Sequence, residues 1–304
     1  MLTSLFNSSI SVTNVSVIIP VYNREHTIIR AIDSVISQSF SDWELIIIDD
    51  GSTDQTASLI QSQYEHNVIL KSIPTNQGVS TARNLGVKLS SGKWIAFLDS
   101  DDYWHPDKLS SQILFLNENP QYQISQTEEI WIRNGHRVNP KLKHKKLSRD
   151  LFVPSLELCL ISPSSVILTR ELFDQSGKFD EDLLACEDYD LWLRITQKNP
   201  VGLINSPLLT KTGGHADQLS SKFPAMDRFR IYSLLKLFSS GKLSPEQETA
   251  TLKILRKKIE ILVNGAKKRG NRSQELENVA REILSKRTFT QHKETLKQLL
   301  LWKQ

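Results

Sequence analysis

Apolar residues in this chain come in short unbroken blocks. Residues 15–21 (VSVIIPV), 43–48 (WELIII) and 94–98 (WIAFL) are continuous runs rich in β-branched and aromatic side chains. Runs of that length without alternation fit strands buried on both faces, as in a parallel sheet. Between them the period changes. Ile28, Ile29, Ile32, Val35 and Ile36 recur at helical spacing up to Gln38, a helix follows Asp54 to about Tyr64, and a third runs from Gly78 to Leu89. A short strand at 68–73 completes four strand–helix alternations. That alternation predicts a doubly wound, mainly parallel α/β sheet with right-handed crossovers.

The pattern is less regular beyond Pro106. Leu109, Ile113, Leu114 and Leu116 predict a helix to Pro120, and 121–133 a strand region. Residues 140–149 read as an exposed basic connection facing solvent, with approach to an anionic ligand as the alternative. A strand at 164–168, a helix near 171–173, an amphipathic helix from Glu187 and a last strand at 201–209 follow. The stretch 211–221 (KTGGHADQLSS) reads as a flexible loop. From Met226 onward the spacing is helical, around 231–237, 252–263, 276–284 and 296–302.

The acids change the picture. Trp94 to Leu98 leads directly into Asp99-Ser100-Asp101-Asp102, three carboxylates within four positions just past a predicted strand end. Open α/β sheets bind ligands at that edge. Crowded carboxylates repel one another unless a cation lies among them, and a hard divalent ion is the usual solution. A second group, Asp49-Asp50-Gly51-Ser52-Thr53-Asp54, ends the second strand, where Ser52, Thr53 or Asp54 suits a helix cap. Glu187 and Asp188 open a helix, where acids by themselves are ordinary dipole complements. Trp192 reads as core packing.

Composition adds limits. The 304 residues are 39% hydrophobic and 24% charged, with a net charge of +4. The charge is uneven: from Ala225 onward there are 18 Lys and Arg against 8 Asp and Glu. Two cysteines, Cys159 and Cys186, suggest a reducing compartment rather than a disulfide framework. The first 13 residues lack a basic segment and a long apolar core, and no apolar run reaches the ~20 residues of a bilayer span. The expectation is a cytoplasmic protein, with peripheral contact on the inner face of a membrane through basic helices as one reading of the carboxy-terminal region. The other reading is a bundle packed on the α/β domain or on a second copy in a homodimer. Nucleic acid is not an expected partner, because the basic residues lack interleaved aromatics.

Four stretches in this order resemble the family 2 glycosyltransferases of GT-A fold. They are Val17 to Arg24 (VIIPVYNR), Ile48 to Asp54 (IDDGSTD), Phe97 to Asp102 (FLDSDD) and Glu187 to Trp192 (EDYDLW), with Gly78 to Gly86 (GVSTARNLG) between the second and third. The resemblance covers about 15–220 and implies an amino-terminal tail at 1–14, a GT-A domain at 15–222, and a basic helical extension at 223–304. Within the domain it implies a nucleotide-binding half at about 15–102 and an acceptor half at about 103–222.

The resemblance also implies roles. Pro20, Tyr22 and Asn23 would border the nucleotide, Asp50 would accept from the uracil ring N–H, and Arg83 would reach the nucleotide or diphosphate; a plain surface position on its helix is the competing reading of Arg83. Asp99, Ser100 and Asp101 match the Asp-x-Asp position, with Asp101 on Mn²⁺ or Mg²⁺ and Asp99 on the sugar, the ribose or the metal. His215 would lie near the diphosphate or metal, on a loop that Gly213 and Gly214 let close. Asp188 would be the general base of an inverting transfer from a UDP-sugar, with Glu187 beside it. The acceptor would be a glycan or lipid-linked sugar, in surface-glycan synthesis. A nucleotidyltransferase lacks its glycine-rich lysine loop here and an oxidoreductase its G-x-G-x-x-G. A processive membrane polymerase lacks its spanning segments and Gln-x-x-Arg-Trp, and a non-catalytic binding relative is disfavoured by retention of Asp50, Asp99, Asp101 and Asp188.

Overall fold

The computed structural model describes residues 14–214, 223 and 225–268. The alternating half folds as its pattern predicts: β1 (Val15–Val21), α1 (Ile28–Ile36), β2 (Trp43–Asp49), α2 (Thr56–Tyr64), β3 (Ile69–Ser72), α3 (Val79–Leu89) and β4 (Trp94–Phe97). β1 pairs in parallel with β2 and β4, and β2 in parallel with β3. All seven residues of β1 are buried. Val15, Val17, Ile19 and Val21 enter one apolar cluster with Ile28, Ile32 and Ile60, while Ile18 enters the opposite one with Ala82, Phe97 and Trp192. A strand packed on both sides needs no polar face, which is why its sequence does not alternate. Gly86 lets α3 lie against that sheet, since a Cβ there would sit 2.4 Å from Ile18 Cγ2.

The second half is mixed. After β5 (Tyr103–Trp104) and α4 (Lys108–Glu118) come the hairpin β6 (Ile124–Arg133) and β7 (His136–Val138), α5 (Phe152–Ser155), β8 (Val166–Thr169), α6 (Arg170–Gln175), α7 (Glu187–Thr196) and β9 (Gly202–Gly213). The strand order is β3-β2-β1-β4-β8-β6-β9-β5, with β7 on β6. β8 is antiparallel to both β4 and β6, whereas β6 and β9 run parallel. β5 and β7 are too short to leave an apolar signature. One expectation is corrected here: residues 211–213 continue β9 instead of opening a loop, held by pairing with Trp131, Ile132 and Arg133.

Two helices close the described chain, α8 (Asp227–Ser239) and α9 (Pro245–Lys268). Their apolar stripe is spent on the domain. Phe229, Leu234, Leu235, Leu255, Ile259 and Leu262 share one cluster with Phe152, Leu156, Tyr189 and Leu193. Burying six such side chains contributes on the order of 10 kcal/mol before entropic costs. The expected helices at 276–284 and 296–302, and His215, lie outside the described residues. Among the described residues no helix is long and apolar enough to cross a membrane.

Candidate active site

The acids that the sequence separates by almost a hundred positions meet at one guanidinium. Arg83, on α3, is buried, not on the helix surface. Its Nη1 donates to Glu187 Oε1 at 2.7 Å and its Nη2 to Asp99 Oδ1 at 2.7 Å. The Phe179 ring lies 5.0 Å from Arg83 Cζ. Burial alone would lower the affinity of Arg83 for its proton, but Asp99 and Glu187 outweigh it and the net shift is upward. Glu187 is held above the ordinary carboxylate range by burial and by Asp188, with Arg83 opposing. Only Arg offers two parallel N–H groups in a rigid fork that can bridge carboxylates from two elements.

The three acids after β4 divide their labour. Asp102 is buried, and both its oxygens are occupied: Ser164 Oγ donates at 2.7 Å and the Thr212 backbone N–H at 2.8 Å. Burial, Asp101 and Asp99 push its carboxyl well above the usual range, with Lys211 pulling the other way. It therefore braces β9 and the Pro163–Ser165 turn against the strand end. The Asp99 side chain keeps 29% of its surface exposed. Ser100 is buried, and Arg30 donates to the Asp101 carbonyl at 2.7 Å.

At the β2 end, Asp50 Oδ1 and Oδ2 accept the backbone N–H groups of Gln77 and Gly78, each at 2.8 Å. Burial, assisted by Asp49, nevertheless raises its pKa. Asp50 thus fixes the loop that starts α3, and with it Arg83. Asn23 stitches the β1 end to the same rim, accepting from the Thr53 N–H at 2.8 Å while its own N–H donates to Ser52 Oγ at 2.9 Å. Pro20 is buried and Tyr22 is 38% exposed. The helix cap expected among Ser52, Thr53 and Asp54 is corrected: the N-cap is Gln55, and Asp54 Oδ1 accepts the Thr56 N–H at 3.0 Å in the turn just before it.

α7 starts from a strained residue. Cys186 has φ of 61° at the helix N-cap, a conformation uncommon outside glycine. Three acids fill the first turn, and their partners tell them apart. Asp190 pairs with Arg194 at 2.6 Å and Lys236 at 3.1 Å, so it is structural. Glu187 belongs to Arg83. Asp188 is half-buried, accepts the Tyr189 N–H at 2.7 Å and takes the Cys159 thiol at 3.5 Å. Burial, then Asp188, raises Cys159 well above the usual thiol range, so it stays a neutral donor. Trp192 is core, with its ring against Phe179.

Sequence reasoning missed two cations. Lys146 lies in a stretch read as solvated, yet it is buried 3.0 Å from Glu129. Glu129 in turn is pulled down to about 2: burial would raise it, but Lys146, Lys211 and the Ser162 hydroxyl prevail. Lys211 feels Glu129, Asp102, Asp99 and Asp188 together, which overcome burial and raise its pKa. The register shifts at residues 127–129, where β9 bulges against β6, precede Glu129 directly. Bulges re-aim side chains in this way, and no local composition announces one.

With this geometry in view, comparison with known proteins becomes informative. A family profile described as "Glycosyl transferase family 2" matches residues 16–176. The chain belongs to glycosyl transferase family 2. An uncharacterized glycosyltransferase from Rickettsia felis is 39% identical over 196 residues, covering 64% of this chain and 32% of that protein. The chain thus spans about a third of the length of such Rickettsia relatives. The Escherichia coli protein WfgD, named a UDP-Glc:α-D-GlcNAc-diphosphoundecaprenol β-1,3-glucosyltransferase, is 35% identical over 192 residues, covering 63% of this chain and 73% of WfgD. Among solved structures, Staphylococcus aureus TarS 1-349 in complex with UDP-GlcNAc superposes with a TM-score of 0.66 at 23% identity, over 81% of this chain and 71% of that one. The family 2 fold, GT-A, is therefore the fold of this chain.

Proposed function

We propose that this chain transfers a sugar from a nucleotide-sugar, a UDP-sugar first among them, to an acceptor hydroxyl with inversion at the anomeric carbon. The observation that carries this reading is the Arg83 bridge. One buried guanidinium holds Asp99, from the Asp-x-Asp strand end, and Glu187, beside the candidate base, at 2.7 Å each. Donor and acceptor chemistry thereby share one cleft edge. Family membership, the UDP-GlcNAc complex of TarS and the name of WfgD support the donor class, and the name of WfgD supports a diphosphoundecaprenol-linked acceptor.

In this reading Pro20, Tyr22 and Asn23 border the base, while Asp50 reads its N–H with lone pairs left over from Gln77 and Gly78. Asp188 takes the acceptor proton as the new bond forms. Its Cys159 partner donates only weakly, which leaves carboxylate lone pairs for the acceptor hydroxyl. Glu187, fixed by Arg83, positions Asp188 at the head of α7. Lys211 adds positive potential where the leaving diphosphate gains charge.

The acids present fit a hard divalent ion: Asp99 and Asp101 are oxygen ligands of the type Mn²⁺ and Mg²⁺ take, which commonly use one or two carboxylates with phosphate and water. Bound there, the ion would neutralise charge on the departing diphosphate. Calorimetric titration of UDP, GDP and dTDP with Mn²⁺, Mg²⁺ or chelator, on wild type and Asp101→Asn, tests the donor site. Metal-dependent UDP binding that collapses in the variant is expected. Absence of binding by all three nucleotides overturns the reading.

A further inference from the structure

The basic stretch after β6 forms a cavity of its own. About 190 Å³ in volume, it is lined by Glu129, Trp131, Lys141, His144, Lys145 and Lys146, with Glu128 at its side. Between residues 130 and 149 the chain has seven Lys and Arg and no Asp or Glu. Glu129 and Lys146 neutralise each other and Glu128 offsets one further charge, leaving the exposed Lys141, Lys145 and nearby Arg133 in excess around one aromatic ring. That ring is held in place. Trp131 Nε1 donates to Glu129 Oε1 at 2.7 Å, Arg133 Cζ lies 5.6 Å from the ring centroid, and His144 meets it edge-on at 5.2 Å.

Two connections link the walls of the cavity to Lys211 and Asp188. Trp131 is in register with Lys211, the lysine that feels Asp99 and Asp188. The segment after α5 makes the other: Cys159 donates to Asp188, and Ser162, three residues on, donates to Glu129. A group bound in the cavity therefore sits on the β6–β9 side of the sheet, three strands from β1, where the segment that holds Cys159 against Asp188 also lies.

We infer that this cavity binds the diphosphate of a diphosphate-linked glycan acceptor, with Lys141 and Lys145 on the phosphates and Trp131 against the adjoining sugar. The inference rests on the transferase reading above and gives the acceptor class named there a subsite of its own. Phosphate is the chemistry that exposed lysines beside a fixed aromatic ring select, since lysine serves as a mobile point charge and a sugar face packs on an aromatic. His144 reports the same local field: burial, then Lys143 and Arg133, lower its pKa.

The test compares wild type with Lys141→Gln/Lys145→Gln, both exposed positions where folding is not at stake. Two soluble probes are titrated calorimetrically, α-GlcNAc joined through diphosphate to a short alkyl chain and the same sugar as its alkyl glycoside. The double variant should lose at least about 10-fold in affinity for the diphosphate probe, with UDP binding and the response to the glycoside unchanged. Equal affinity of wild type and variant for the diphosphate probe, or no binding of that probe by wild type, overturns the inference. So does a variant that keeps the probe but loses phosphatidylglycerol vesicles, because its lysines then serve a membrane surface. Lysine-dependent probe binding without any UDP binding retains the anion site and removes the transferase reading, so the two failures are distinguishable.

Discussion

The two halves of this domain hold their carboxylates by different means. In the nucleotide half they are pinned by directional donors: Asp50 by two backbone N–H groups, Asp102 by a hydroxyl and a backbone N–H, Asp99 by one arm of Arg83. In the acceptor half Glu187 takes the other arm of Arg83 and Asp190 pairs with Arg194, but around the β6–β9 bulge the balancing groups are lysines, Lys146 on Glu129 and Lys211 among several acids. Directional bonds fix geometry and leave little to exchange. Point charges on flexible stems set a potential that an incoming anion can share. Under the proposed function, the difference suits a half that repeats one nucleotide geometry and another that accommodates a variable acceptor.

The comparison can be broken experimentally, beginning where the largest effect is expected. Asp188→Asn should lower the initial transfer rate by about 10²- to 10⁴-fold and leave UDP affinity, read by calorimetry, as in wild type. An equal loss in both would place Asp188 on the donor instead. Arg83→Ala leaves Glu187 buried without its cation, a change that costs about 3–5 kcal/mol in such pairs. Urea unfolding should register it, and Arg83→Lys should recover only part, because one ammonium replaces a two-armed fork.

Glu129→Gln probes the lysine-balanced half. With a folded pKa of about 2 against an ordinary 4.5, Glu129 contributes stability that is fully present above the ordinary value and lost as pH falls toward 2. The variant should be less stable at pH 7 by on the order of 3 kcal/mol, and the gap should close on acidification from about pH 4.5 to 2. A gap independent of pH would refute the pairing with Lys146. Leu142→Gln should do least: the side chain is 91% exposed, so the unfolding free energy, read by urea denaturation, should stay within about 0.5 kcal/mol of wild type.

How much of this was legible in the sequence follows the same division. Strands buried on both faces write themselves as continuous apolar runs, so β1, β2 and β4 and the acids at their ends were readable from Val15, Trp43 and Trp94 onward. Asp99 and Glu187 were readable as candidates, but their meeting on Arg83 was not, because 104 residues separate Arg83 from Glu187. Lys146 and Lys211 were misplaced for a physical reason: lysine and glycine composition signals solvent, whereas pairing of β9 with β6 and the counter-charge of Glu129 were set by tertiary register. The two-residue β5 and the bulge before Glu129 had no local pattern to read.

The most direct test of the central claim is the anomeric configuration of the product formed from an α-linked UDP-sugar, read by NMR before any product turnover. A carboxylate base facing the acceptor across from the departing diphosphate predicts a β-linked product. An α-linked product would contradict the assignment of Asp188 and the reading of the Arg83-bridged cleft as an inverting site.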